Sequence, residues 1–187
     1  SEGPARHESA AGLRGQQALI EATPQGKDAS IVVFENGWPD DPSALADAST
    51  LVLYFDGLDK HPLRDPAHRR QFEALMQRGV GLVALHQAST VPPDDSQTGL
   101  QRWLGAERVG MFDRTTETAT LAPADAMHPV NHGIDEFTYR DEFYPTLIFA
   151  ESGVVPLLRG ILHVQYRQGA SVVEDRPEAT TVAWAYQ

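Results

Sequence analysis

Between Leu51 and Leu85 two uninterrupted apolar runs flank one capped helix, and few architectures accommodate that pattern. The runs are Leu51-Val52-Leu53-Tyr54-Phe55 and Val80-Gly81-Leu82-Val83-Ala84-Leu85. A continuous run, unlike an alternating one, marks a strand covered on both faces, as in a parallel sheet. Between them, Asp65-Pro66 supplies an N-cap and a first helical residue, and Phe72, Leu75 and Met76 repeat at helical spacing. Gly79 suits the position just past the helix end. Strand, helix and strand at this spacing predict a right-handed βαβ unit. Ile31-Val32-Val33-Phe34 reads as a further buried strand and Leu13 to Glu21 as a helix. The expected fold class is α/β with a mostly parallel central sheet.

Punctuation and the second half add less. Ser1 to Gly12 reads as a loop, and Asn36-Gly37-Trp38-Pro39-Asp40-Asp41-Pro42 is turn chemistry, with Ser43 expected to cap a short helix. Thr116 to Leu121 alternates like a more exposed strand. Phe137-Thr138-Tyr139, Leu147-Ile148-Phe149, Ile161 to Tyr166 and Thr181 to Tyr186 are further strand candidates.

A chain of 187 residues suits one domain, residues 1–187, with a substantial core. Its formal net charge of -11 sets it against phosphate backbones and anionic membranes, and no basic stripe offsets this. Nucleic acid and membranes are therefore not expected as partners, and a homo-oligomer is left open. There is no cysteine, which removes disulfides, thiolate metal sites and cysteine nucleophiles. No apolar run approaches membrane-spanning length and no signal peptide opens the sequence. The expectation is a soluble protein, with cytoplasm and periplasm both open.

Ligands of an open parallel sheet sit beyond the carboxyl ends of its strands. The residues there are Asp56, Gly57 and His61 after the first run and His86 after the second. His86 stands where a nucleophile elbow would expose one residue on a sharp turn, and imidazole can serve as acid, base or metal ligand. The plain alternative is a strand-end histidine bonded to a loop. Asp141-Glu142-Phe143-Tyr144 gathers two carboxylates and a phenol; alone it reads as a solvated acidic turn. His128, His132, His163 and His68 read as loop, strand or helix-surface histidines. Gly3-Pro4-Ala5-Arg6-His7-Glu8 is a loop able to approach a ligand. Ser89 lies in no Gly-x-Ser-x-Gly context, which sets serine hydrolysis aside.

Taken in order, these pieces resemble a known family. They are the Gly3-Pro4-x-x-His7-Glu8 loop, Asn36-Gly37-Trp38-Pro39, Asp56-Gly57 with His61-Pro62, Arg78 through His86, His128-Pro129 with Gly133, Asp141-Glu142-Phe143-Tyr144, and Val182-Ala183-Trp184. The set is similar to the ThuA-like (trehalose utilisation) domains of the class I glutamine amidotransferase-like superfamily, over nearly the whole chain. The resemblance implies a flavodoxin-like three-layer sandwich and a pocket built from His7, Asp56, His61, His86, Glu142 and Tyr144. It implies sugar metabolism, with 3-keto sugars as the substrate class. The amidotransferases carry a cysteine at the elbow; His86 here excludes glutamine hydrolysis through a thioester. The family pattern also begins with a strand ahead of the Gly-Pro loop and runs past the Ala-Trp segment. Neither piece is in this sequence, and Arg159 to Pro177 fits the pattern poorly.

The expected activity is acid/base chemistry on a keto-sugar or related glycoside: isomerisation, epimerisation or elimination. Such reactions need a base for the hydrogen beside the carbonyl and an acid or metal for the enediolate. His86 and Glu142 are assigned proton transfer, Asp56 a catalytic orienting role, and His7, His61 and Tyr144 substrate binding. A divalent metal such as Zn is a candidate cofactor, with His7, His61 and His86 as candidate ligands. A plain hydrogen-bonding sugar site uses the same residue types. The alternative is a non-catalytic sugar-binding or assembly domain on the same fold.

Overall fold

The computed structural model describes residues 9–35, 37–91, 100–109, 114–168 and 171–187. The chain forms two compact units, Ser1–Thr98 and Gly99–Gln187, and both helices and sheets are present. The first unit opens with helix α1 (Ser9–Glu21) and contains strand β1 (Thr50–Tyr54), helix α2 (Pro66–Gln77), strand β2 (Gly81–Leu85) and the short strand β3 (Thr90–Val91). β1 and β2 pair in parallel, in register from Thr50 with Gly81 to Tyr54 with Leu85. The βαβ unit forms as its sequence requires. Asp65 caps α2 by accepting from the backbone N–H groups of Ala67 and His68, two donors that the first turn otherwise leaves unpaired. Phe72, Leu75 and Met76 form the buried stripe of α2, each contributing about 1.5–3 kcal/mol by leaving water. Gly79 follows the helix with φ +81, the left-handed conformation that glycine adopts freely.

Three local expectations change. Residues 9–12, read as the end of a loop, are helical and belong to α1. Asp41, not Ser43, caps the 3-10 turn at Pro42–Leu45, accepting from Ser43 N–H and its hydroxyl. Ile31–Phe34 joins no ladder among the described residues, and Val32 is 68% exposed. An apolar run records a tendency to be covered, and that does not require a pairing strand.

The second unit is antiparallel where its strands pair. It contains helix α3 (Leu100–Leu104) and strands β4 (Ala106–Val109), β5 (Thr115–Pro123), β6 (Phe137–Phe143), β7 (Ile148–Phe149), β8 (Val154–Gln168) and β9 (Ser171–Tyr186). β4 pairs with β7, and a four-stranded sheet runs in the order β6-β5-β8-β9. Parallel pairing is thus seen only in β1 and β2 among the pairs described, where a mostly parallel sheet was expected. The physical cause lies in the sequence: β5 alternates, its exposed threonines facing away from Ala119 and Leu121, as an antiparallel sheet with one covered face requires. Ala119, Leu121, Phe143 and Leu162 form the core on that face, with Val182 packed against them. The poorly fitting stretch from Arg159 to Pro177 is the outer part of the β8–β9 hairpin. Its edge strand β9 is blunted by Glu174, Asp175, Arg176, Pro177 and Glu178.

Candidate functional site

In the first unit, the parallel register delivers the candidate residues to one edge. Because Tyr54 pairs with Leu85, Asp56 and His86 both leave the ladder just beyond its carboxyl end. Both are half-buried. His86 has φ 55, and among the described residues it is the one non-glycine with a positive φ. A β-carbon in that conformation is strained by about 1–2 kcal/mol, and such strain collects at functional turns. His86 opens a single 3-10 turn, His86–Ser89, closed by Ser89 Oγ donating to the His86 carbonyl at 3.0 Å. The Asp56-Gly57 loop packs against this turn: a Cβ on Gly57 would collide with the carbonyl oxygens of Gln87 and Thr90.

His61, expected to bind substrate, lies in the loop after β1. It is 2% exposed. Its Nδ1 accepts from Leu63 N–H at 3.2 Å, capping the 3-10 turn at Pro62–Arg64, and its Nε2 lies 3.2 Å from the Ala88 carbonyl. An accepting Nδ1 puts the proton on Nε2, so the neutral ring donates to Ala88. Phe55 packs edge-on against it at 5.0 Å. His61 thereby ties the loop after β1 to the turn that carries His86. His128-Pro129 repeats the device, with His128 Nδ1 accepting from Val130 N–H at 3.2 Å. A His-Pro pair thus reads as a turn cap, a signal present in the sequence. His7 and Glu8 lie outside the described residues. Among the described residues, no group of three or more His, Cys, Asp or Glu side chains is gathered to hold a metal.

The second unit holds Glu142 and Tyr144. They stand two residues apart, one in β6 and one just past it, so the extended chain sends both to the same side. Tyr144 donates its hydroxyl to Glu142 Oε1 at 2.8 Å. Arg114 Nη1 donates to Glu142 Oε2 at 3.0 Å, with the carboxylate side chain 18% exposed. Under the phenol ring lies Arg108, its guanidinium carbon 4.1 Å from the ring centroid. Arg108 is 2% exposed, and a desolvated cation over an aromatic face is worth about 2 kcal/mol. The expected acidic turn is therefore a strand end carrying an organised carboxylate, with both oxygens accepting hydrogen bonds, one of them from a cation.

Sequence reasoning missed Arg108 and Arg114. A faint signal for the first exists: Arg108 is two residues from Ala106 in β4, on the same side of the strand, and Ala106 is fully buried. The remaining histidines are elsewhere. His68 stacks on Trp38 with ring centroids 5.7 Å apart. His163, on the sheet surface, pairs with Glu117, its Nδ1 3.0 Å from Oε2 while its N–H donates to Oε1 at 2.9 Å. That contact raises the His163 pKa. Burial pushes the Glu117 carboxyl up, but the hydrogen bonds from His163 outweigh it and leave the pKa below its ordinary value.

Comparison with known proteins bears on the whole chain. A search of curated proteins gave no match. A solved structure of a protein described as ThuA-like, from Bacteroides uniformis, superposes with a TM-score of 0.56 at 17% identity, covering 97% of this chain and 75% of that one. At that identity the likeness speaks to fold alone. The ThuA family, described as trehalose utilisation, matches residues 6–185. With nearly the full length matched, this chain belongs to the ThuA family.

Proposed function

We propose that this protein is a carbohydrate-active enzyme that performs acid/base chemistry on a keto-sugar or related glycoside, on a flavodoxin-like amidotransferase-type fold. The observation that carries the reading is the left-handed backbone of His86 at the carboxyl edge of β1 and β2. A strained non-glycine is retained where its side chain has work to do. His86 and Glu142 are the groups assigned proton transfer. Asp56 orients or binds sugar hydroxyls, and Tyr144 donates a hydrogen bond. The enediolate formed when a hydrogen leaves the carbon beside the carbonyl needs positive charge or a donor nearby. Arg114, partly exposed beside Glu142, is a cation of the kind required, so the reading does not depend on a metal. His61, held by two backbone contacts, acts by shaping the turn.

The test is hydrogen exchange. Incubated with 3-ketoglucose in D2O, the protein should wash deuterium into the carbons beside the carbonyl, followed by proton NMR. Separate His86→Ala and Glu142→Gln variants should each slow exchange by about 100-fold or more, the range of one acid/base group. Binding of the sugar with no exchange in any form would favour the non-catalytic sugar-binding domain instead.

A further inference from the structure

We infer that Arg108 is a positioning residue: it acts through the Tyr144 ring to hold the phenol hydroxyl on Glu142. The argument is a chain of three groups drawn from separate segments of the second unit. Arg108 comes from β4, is 2% exposed, and sets its guanidinium 4.1 Å over the Tyr144 ring. Tyr144, in the segment just past β6, donates to Glu142 Oε1 at 2.8 Å. Glu142, in β6, has its other oxygen held by Arg114 at 3.0 Å.

The geometry separates the two arginines. Arg114 touches the carboxylate directly and has 37% of its side chain exposed, so solvent screens it and thermal motion loosens it. Arg108 is enclosed and lies against the ring. A planar guanidinium over an aromatic face restricts both the tilt and the sliding of the ring. The phenol oxygen lies at the far end of that ring, so a small change of tilt displaces it by a large fraction of a hydrogen-bond length. Tyr144 alone could rotate its hydroxyl to water; with its ring held, the hydroxyl keeps its aim at Oε1. One carboxylate oxygen is then fixed by a neutral donor and the other by a cation. The plane of the Glu142 carboxylate is thereby set before a substrate hydrogen reaches it.

The catalytic consequence rests on the proposed role of Glu142, but the positioning does not, and the two are measured apart. For positioning, 3-fluorotyrosine is placed at residue 144 and its fluorine resonance recorded. In the parent protein, Glu142→Gln should shift that resonance, because the acceptor of the hydroxyl changes. In an Arg108→Met background the resonance should broaden, and Glu142→Gln should no longer move it. Arg108→Lys, which keeps the charge without the plane, should give an intermediate result. An unchanged resonance in Arg108→Met, with the full response to Glu142→Gln retained, overturns the inference whatever the activity. If Arg108→Met does not fold, Arg108→Lys carries the same comparison, and a parent-like response there overturns it equally.

For catalysis, deuterium wash-in to 3-ketoglucose gives kcat and KM. Arg108→Met and Tyr144→Phe should each lower kcat about tenfold and leave KM within about twofold, with Arg108→Lys recovering part of the loss. Together they should cost no more than Tyr144→Phe alone, because Arg108 acts through the missing hydroxyl. Losses that multiply in the double variant overturn the route through Tyr144. Absence of wash-in by the parent protein counts against the proposed function, while the fluorine measurement still decides the positioning.

Discussion

Glycine relieves the backbone strain that His86 carries at φ 55, and this separates the folding role of that position from its chemical role. His86→Gly should leave the melting temperature unchanged or raise it, offset in part by the unfolded-chain entropy that glycine adds. Turnover of a keto-sugar should nevertheless be lost, as in His86→Ala. A His86→Gly variant that melts lower by several degrees while keeping full turnover would make the residue structural. His61 is predicted to behave in the opposite sense. His61→Ala strips the donor from the Ala88 carbonyl and the acceptor from Leu63 N–H inside a buried loop, at a cost of about 1–3 kcal/mol for groups left unsatisfied. Urea melts should show that loss. The Asp56 and His86 segments should also exchange amide hydrogens faster, because the ring that joined them is gone. A His61→Ala protein of parent stability that has lost only its sugar affinity would return His61 to the ligand-binding role expected of it.

Elements differ in how clearly the sequence announces them, and the reasons are physical. The β1-α2-β2 unit was legible because each part is specified locally: a capping aspartate, a proline at the first helical position, a glycine at φ +81, and strands with no polar interruption. The 31–34 run is as uninterruptedly apolar as β2 but joins no ladder among the described residues, since pairing depends on a neighbour that a local pattern does not name. The four-stranded sheet was half legible. Its strands were found, but the β8–β9 hairpin is longer than its apolar segments because its outer part is joined by polar cross-strand contacts, Tyr166 donating to Glu178, Gln165 to Asp175, and Arg176 lying on the Tyr166 ring. Where β5 runs beside β8, the Glu117 carboxylate grips both the backbone and the ring of His163, with Asp175 of β9 adding to the charge around it. Its pH dependence is set by two signs. The His163 pKa is raised above the ordinary 6.5, so its contribution is present below that value and lost as pH rises through the folded-state pKa. The Glu117 pKa lies below the ordinary 4.5, so its contribution is present above that value and lost as pH falls through its own folded-state pKa. The clamp is therefore fullest between those two ordinary values. His163→Gln should flatten the fall in melting temperature as pH rises above 6.5 through the folded-state pKa; a parent-like slope in the variant would assign that fall to other groups.

At the scale of the whole molecule, the acidic balance argues against nucleic acid and anionic membranes, while the expectation of a sugar comes from the family resemblance and not from composition. Glu142 and Tyr144 could be singled out only through the family resemblance, since by themselves they read as part of a solvated acidic turn. Arg108 and Arg114 could not, because only the folded chain brings one to the Tyr144 ring and the other to the Glu142 carboxylate. Their presence alters what is expected when the protein is stripped of metals. With cations supplied by the chain and the ring nitrogens of His61 held by backbone, the sugar chemistry proposed here should proceed without a divalent ion. Protein purified without a histidine tag should carry less than about a tenth of an equivalent of any transition metal, a level too low to serve a site in every chain. A chelator should leave both turnover and melting temperature in place. An oxidised sugar present at about a hundred times its dissociation constant should stabilise the folded chain by about 2.7 kcal/mol. Its reduced counterpart, lacking the carbonyl, should give a smaller shift at the same concentration. Melting curves with each sugar, before and after chelation, settle both points together. A sugar-induced shift that vanishes with the chelator and returns with zinc would put a metal in the site and move the enediolate's charge from arginine to the ion.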